Sequence, residues 1–321
     1  MRRGDSLEQV TSDTVDHRGA LEGARQGLAS IILGKDEEIS LALSCLIARG
    51  HLLIEDLPGL GKTTLAQAIS SVLGLSYHRI QFTSDLLPAD ILGVSIFNRD
   101  SNRFEFQPGP IFSQLVLADE VNRATPKAQS ALLEAMQEQQ VSVDGQTYDL
   151  PEPFFVVATQ NPADQIGTFP LPESQLDRFL MRLELGYPDQ QSERALITGE
   201  SRRSMLRSID AAMTPEVLQQ LQAQAERVPM SDPLVDYIQA LVRQTRESPN
   251  IEVGLSPRGS LALTAAARAH AYVMGHSGVF PDNVQSVFTA VAGHRIKPAS
   301  SSGFRTPAEL CRHVLDSVAI P

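Results

Sequence analysis

The chain is predicted to fold as an α/β domain followed by a smaller, all-helical one. Short apolar runs bounded by turn residues, His51 to Glu55, Ser113 to Ala118 and Phe154 to Ala158, recur through the first half and read as buried strands. Segments with helical spacing lie between them. After Pro188 the pattern changes: stretches near 191–206, 215–227, 233–246, 257–274 and 281–296 all have helical spacing, and no clear strand appears.

The totals bound the reading. A chain of 321 residues has room for two domains, and 42% apolar residues suffice for ordinary cores. A net charge of −11 argues against a non-specific grip on DNA or RNA, which needs clustered Lys and Arg. Cys45 and Cys311 are far apart, so neither a disulfide framework nor a zinc cluster is indicated, and a reducing cytosol is expected. No apolar stretch approaches the roughly 18 residues of a membrane helix. Arg2 and Arg3 lead into polar sequence, so no signal peptide is expected.

Residues 1–17 are polar and patternless and are expected to form a flexible extension. A helix is predicted from Leu21 to Leu33, ending at Gly34, and a second begins with Asp36 as N-cap. The strand ending at Glu55 leads into the loop Asp56 to Lys62, with glycines at 59 and 61, and a helix starts at Thr63. Tyr77 to Phe82 reads as a strand. Val94, Ile96, Phe104 and Phe106 alternate with polar residues around Asn98 to Asn102, a hairpin signal. The strand ending at Ala118 runs into Asp119 and Glu120, and a helix follows from Pro126 to Gln137. Asp144-Gly145 is the preferred two-residue turn of a second hairpin. A last strand is placed at Leu180 to Leu185.

A strand, a glycine loop, Lys-Thr and a helix form a cradle for phosphate. Glycines let backbone N–H groups turn onto the anion, and the helix N-terminus adds positive charge. In that reading Lys62 reaches the β- and γ-phosphates and Thr63 holds Mg²⁺. The general pattern wants glycine where Asp56 stands, so the strict motif fails by one residue; a strand-to-helix turn without a ligand is the alternative. Asp119 at a strand end can hold the Mg²⁺ shell, with Glu120 polarising water for in-line attack; the alternative is that both cap the next helix. Asn161 could orient that water, or be an ordinary turn before Pro162. Arg178 could neutralise charge on a transferred phosphoryl group, although chain physics alone favours an ion pair with Asp177 or another carboxylate. Arg258 follows a good N-cap, Ser256, and a good first helical residue, Pro257. It thus sits where a basic side chain opposes the helix dipole, a placement that points to function, with a plain surface arginine as the alternative. The seven histidines show no metal spacing, and Gly254 to Ser256 lacks the closing glycine of a nucleophile elbow.

Taken together, these segments resemble the MoxR family of AAA+ ATPases from about Leu28 to Lys297. IEDLPGLGKT resembles that family's Walker A, including the acid before Leu-Pro-Gly, LVLADEVNRA its Walker B, and ATQNP its sensor 1. FPLPESQLDRF resembles the arginine-finger segment and LSPRG the start of sensor 2. The resemblance implies an αβα sandwich with a parallel five-stranded sheet in the order 5-1-4-3-2, spanning residues 18–187, and a helical lid over 188–321. The hairpins near 93–106 and 140–149 become the helix-2 insert and the pre-sensor 1 hairpin. It further implies that Pro58, Gly59, Leu60, Gly61, Lys62, Thr63 and Thr64 hold ATP, that Thr63 and Asp119 hold Mg²⁺, and that Gly34 and Lys35 line the adenine pocket. Lys62, Glu120 and Asn161 act within one subunit. Arg178 reaches the ATP of a neighbour in a ring, usually a hexamer, and Arg258 also meets phosphate, in cis or in trans.

Family members act as chaperone-like ATPases in the maturation of other complexes, often with von Willebrand A domain partners. The expected activity is therefore hydrolysis of ATP to ADP and phosphate by a cytoplasmic ring acting on a protein client. A chelatase-like metal-insertion motor is the alternative. A nucleic-acid motor is disfavoured by the charge, with Arg99 and Arg103 the basic feature of the first hairpin tip. A nucleotide sensor that does not hydrolyse is disfavoured because every motif is present.

Overall fold

The computed structural model describes residues 17–162, 167–300 and 302–321; apart from His17, the expected N-terminal extension lies outside the described residues. Two helices open the chain, α1 (Arg18–Ile31) and α2 (Asp36–Ile47). Gly34 turns between them at φ +66°, a conformation that favours glycine. Lys35, not Asp36, holds the N-cap position of α2. Asp36 instead joins Glu37 and Glu38 in the first turn, where carboxylates meet the positive end of the helix dipole.

The first half continues as β1 (Leu52–Glu55), α3 (Lys62–Val72) and β2 (Tyr77–Gln81). A short helix, α4 (Pro88–Leu92), leads into the hairpin β3 (Gly93–Asn98) and β4 (Arg103–Pro108). Next come β5 (Leu115–Asp119), α5 (Pro126–Glu138), the hairpin β6 (Gln140–Val143) and β7 (Gln146–Asp149), and β8 (Phe155–Gln160). Asp144 and Gly145 both take positive φ, as the two-residue turn requires. A single turn, α6 (Glu173–Leu176), precedes β9 (Met181–Leu183).

The sheet runs β2-β5-β8-β1-β9 with every neighbouring pair parallel, which is the expected 5-1-4-3-2 order read from the opposite edge. Both faces are buried, and the pleat divides them. Leu52, Ile54, Leu115, Leu117 and Val157 point into a core shared with α1, α2 and α3. Leu53, Val116, Ala118 and Val156 point into a second core with α5 and Phe82. This is the three-layer sandwich.

The second half holds α7 (Gln190–Thr198), α8 (Arg202–Ser208), α9 (Pro215–Glu226), α10 (Asp232–Glu247), α11 (Pro257–Val273), α12 (Pro281–Ala292) and α13 (Pro307–Asp316). The helix expected over 191–206 is two helices, because Gly199 is extended, at φ −89° and ψ −176°, and breaks the ladder. The second half is also not purely helical. β10 (Ile251–Val253) and β11 (Lys297–Pro298) pair antiparallel, too short to leave a periodic trace in sequence. Leu221, Leu241, Leu263, Phe288 and Val314 belong to the same apolar core that covers the α1–α3 face of the sheet. Among the described residues no helix is long and apolar enough to cross a membrane. Burial pushes the Cys45 and Cys311 thiols up to about 12, away from thiolate chemistry at neutrality.

Three histidines tie the core together. His51 Nδ1 accepts the Val156 N–H at 3.0 Å, and its Nε2 donates to the Met136 carbonyl at 3.1 Å, which fixes a neutral ring. Burial lowers His51 from 6.5 to about 4, against the opposing carbonyl contact. Burial, then His276, lowers His270 from 6.5 to about 4, and burial holds His294 well below 6.5. In the unfolded chain these rings take a proton near 6.5; in the folded chain they resist it. The stabilisation is therefore complete above pH 6.5 and is lost as pH falls toward 4. Each ring contributes about 1.4 kcal/mol per pH unit in that window. The thermal unfolding midpoint should fall steadily from about pH 6.5 to about pH 5, and His51→Asn should flatten the decline. A midpoint independent of pH there would contradict the neutral assignments.

Candidate functional site

The loop after β1 carries the site. Gly59 and Gly61 take φ +85° and +90°, and a Cβ at either would meet open space, so the requirement is conformational rather than steric. Gly61 is the N-cap of α3 and supplies no side-chain cap, which leaves the first N–H groups of that helix to an external acceptor. The loop, the end of β5 and the residue after β8 meet around a cavity of about 290 Å³. Pro58, Gly59, Gly61, Lys62, Thr63 and Thr64 line it from the loop side, and Asp119, Glu120 and Asn161 from the other. Leu60 stands in the same loop without lining the cavity. The strands involved are the central three, and the cavity lies at their carboxyl ends, where open parallel sheets bind ligands.

Asp56 is explained by the fold. Its Oδ2 accepts the Gly186 N–H at 2.6 Å and its Oδ1 the Leu57 N–H at 2.9 Å. The backbone at Asp56 does not take positive φ, so glycine is not required there. The carboxylate instead ties the loop to the chain between β9 and α7, where Gly186 turns at φ +63°. Lys35 reinforces the same joint, with Nζ 3.1 Å from the Tyr187 carbonyl and 3.5 Å from Glu38. Gly34 packs against the start of α7, where a Cβ would stand 2.4 Å from Ser192 Oγ. Gly34 and Lys35 thus lie at the junction with the second half and do not line the cavity.

Lys62 Nζ donates to the Asp56 carbonyl, and to that of Leu57 at 3.1 Å. Burial pulls its ammonium below the ordinary lysine range, opposed by Asp56, Asp119 and Glu120. Asp119 is buried, and its Oδ2 accepts Arg79 Nη2 at 2.7 Å and Nε at 3.0 Å. Its Oδ1 accepts the Thr159 hydroxyl at 2.5 Å. Glu120 sits in the left-handed region at φ +57°, a costly conformation for a side-chain-bearing residue and one common at functional sites. The Glu120 N–H donates to Thr159 Oγ1 at 2.9 Å, while Oε2 accepts from Gln81 at 2.9 Å and pairs with Arg123 at 3.1 Å. Thr159 thereby sets both acids at once. As for capping, Thr125 caps α5, its side chain accepting the Ala128 N–H, and Glu120 stands at the N-cap position of the single 3-10 turn Val121–Arg123 without a side-chain cap bond.

Arg79, Gln81 and Thr159 carry no local sequence signal of a role in the site. Gln81 pairs in register with Asp119, and Arg79 lies two residues back on the same face. Their alternation would point to the acids only once β2 is known to lie beside β5.

Arg178 and Arg258 lie elsewhere. Together with Asp177 and Arg295 they line a second cavity, of about 390 Å³. Arg178 does not take Asp177 as its partner: its Nη1 donates to the Leu133 carbonyl of α5. Asp177 pairs with Arg295 at 2.7 Å and with Arg258 at 3.8 Å. Ser256 caps α11 through the Gly259 N–H, which leaves Arg258 in the first turn with its side chain 57% exposed. Neither cavity shares a lining residue with the other.

An oxygen-rich donor set suits a hard cation: the Thr63 hydroxyl and the Asp119 carboxylate line one wall-to-wall space. Among the described residues no group of three or more His, Cys, Asp or Glu could hold a metal by itself. A small hard cation keeps several waters and is bound through one or two protein oxygens plus substrate phosphates, and the Thr63 and Asp119 pair suits that arrangement.

Comparison with known proteins agrees with this geometry. Residues 51–181 match the model of the ATPase family associated with various cellular activities (AAA), and residues 243–312 match an AAA lid domain. Chaperone MoxR1 of Mycobacterium tuberculosis is 38% identical, over 94% of this chain and 82% of its own. Protein MoxR of Methylorubrum extorquens is 29% identical, over 92% and 91%. YeaC of Bacillus subtilis, an uncharacterized protein, is 42% identical, over 91% and 92%. A solved structure described as a "putative ATPase" from Cytophaga hutchinsonii superposes with a TM-score of 0.85 at 34% identity, covering 95% of this chain and 96% of that one.

Proposed function

Because this chain belongs to the MoxR family of AAA+ ATPases, we propose that it hydrolyses ATP as a ring, a hexamer by family precedent, and uses the energy to remodel a protein client. The observation that carries this reading is the separation of the two cavities. The phosphate-loop residues, the two acids and Asn161 gather in one, while Arg178 and Arg258 line the other. The site's own arginines, Arg79 and Arg123, are held on Asp119 and Glu120, and a second copy presents Arg178 and Arg258 to complete it.

In this reading the N–H groups of the loop from Pro58 to Thr64 wrap the phosphates, and Lys62 leaves its carbonyl partners for phosphate oxygens. Thr63 and Asp119 would hold Mg²⁺, which would supply positive charge against that of the phosphates. Glu120 takes the proton of the attacking water, and Asn161 orients that water. Gln81 and Arg123 hold the Glu120 carboxylate in place until then. Gly34 and Lys35 bound the adenine pocket through their backbone. Arg178 neutralises the charge that grows on a neighbour's transferred phosphoryl group, and Arg258 meets phosphate in the same interface. Residues 18–187 form the nucleotide-binding body and residues 188–321 the lid.

The client role rests on the relative named Chaperone MoxR1. A von Willebrand A domain protein is the partner we propose. The first hairpin offers a surface for a polypeptide, with Ile96, Phe97 and Phe104 at 53%, 45% and 73% exposure. A chelatase-like metal-insertion role would use the same engine with a different client. The test of the shared site is dilution. Specific ATPase activity, per mole of chain, should rise steeply with protein concentration and plateau as rings fill. A monomer that turns over ATP at full rate at every dilution would end the proposal.

A further inference from the structure

Arg295 follows the end of α12 and is buried, its side chain only 4% exposed. Arginine has five N–H donors, and here all five have acceptors. Nε donates to Asp177 Oδ1 at 2.7 Å, Nη1 to the carbonyls of Leu180 and Val291 at 3.0 and 2.5 Å, and Nη2 to those of Asp177 and Phe179 at 3.2 and 2.6 Å. Four of these acceptors lie within residues 177–180, on either side of Arg178. The preceding residue, His294, adds a bond from Nε2 to the Phe179 carbonyl at 3.0 Å. The Asp177 carboxylate is also 3.8 Å from Arg258 at the start of α11. The second half of the chain therefore grips the backbone that carries Arg178, at a joint where Asp177 also faces Arg258.

We propose that Arg295 is the positioning residue for Arg178, and that Asp177 is the joint that fixes Arg178 and Arg258 relative to one another across the seam between the two halves of the chain. This rests on the shared-site reading above. A buried guanidinium is costly unless every donor is satisfied, so the arrangement resists partial opening. Lysine cannot replace Arg295, since an ammonium has three donors and no planar fork.

The test is complementation between subunits. Arg295→Lys, and separately Asp177→Asn, should lower kcat by about 10²-fold, the scale of a misplaced group near the chemistry. Binding of a fluorescent ATP analogue by the variant itself should be unchanged. Mixed with Glu120→Gln subunits, each should regain activity, because some interfaces then pair an intact Glu120 with an intact Arg178. Mixed with Arg178→Ala subunits, neither should recover, because both partners fail on the same side of the interface. Asp177→Asn is nearly isosteric and 22% exposed, so it stands if Arg295→Lys fails to fold. Wild-type kcat in the folded Asp177→Asn variant, or recovery on mixing with Arg178→Ala, overturns the proposal. If Arg178→Ala itself fails to complement Glu120→Gln, the shared-site reading falls and takes this one with it. If only Arg295→Lys and Asp177→Asn fail to complement Glu120→Gln, the shared site survives and the positioning role does not.

Discussion

Replacing Arg178 with alanine should lower kcat by about 10³–10⁵, or roughly 4–7 kcal/mol of transition-state stabilisation, while ATP binding stays nearly intact. The size follows from where the charge goes. As the bond to the leaving phosphate stretches, negative charge spreads onto the transferred group, and a guanidinium meets it without reorganising. The binding side is spared because Arg178 lies outside the cavity of Lys62 and Thr63. Among the described residues Arg178 bonds the Leu133 carbonyl, so the substitution should cost little stability. Single-turnover hydrolysis and equilibrium binding, measured on the same preparation, separate the two effects. Hydrolysis at the wild-type rate would remove Arg178 from the catalytic set.

The second large effect is expected at Glu120. Glu120→Gln keeps size and hydrogen-bonding reach but cannot take a proton from water, so the rate should fall by about 10²–10⁴. ATP should remain bound, because Lys62, Thr63 and Asp119 are untouched and Thr159 still sets the backbone through the residue-120 N–H. The variant should accumulate as an ATP-loaded ring, visible as a stable assembly by native mass spectrometry and useful for trapping a client. If Glu120→Gln turns over ATP normally, the carboxylate serves only its Gln81 and Arg123 contacts, and another base must be sought. The two variants also probe opposite sides of one interface, so a mixture more active than either parent supports a site built from two chains.

Much of the fold was legible because the signals are local. The Asp144-Gly145 turn needs two positive φ angles, and both are present. The apolar runs at Leu115–Leu117 and Val156–Ala158 became central strands, since a parallel sheet buries both faces and so needs continuous apolar sequence. One missed helix, α13, was legible in principle: Thr306 and Glu309 form a capping box around Pro307. By contrast, α4, α6 and the β10–β11 pair span five, four, three and two residues, too few for any period to show.

The phosphate cradle could be read from the chain alone, because backbone N–H groups in one short loop do the holding and the loop is contiguous. The order of the acids and the polar residue at strand ends could be read for the same reason. Their neighbours are set by packing between strands and loops: Arg79 on Asp119, Gln81 on Glu120, and Asp56 on Gly186. Packing also decides that Asp177 belongs to Arg295, a residue 118 positions away, rather than to adjacent Arg178. Contacts of that separation carry no periodicity, since they arise from how helices and sheet pack, and packing is a property of the whole chain.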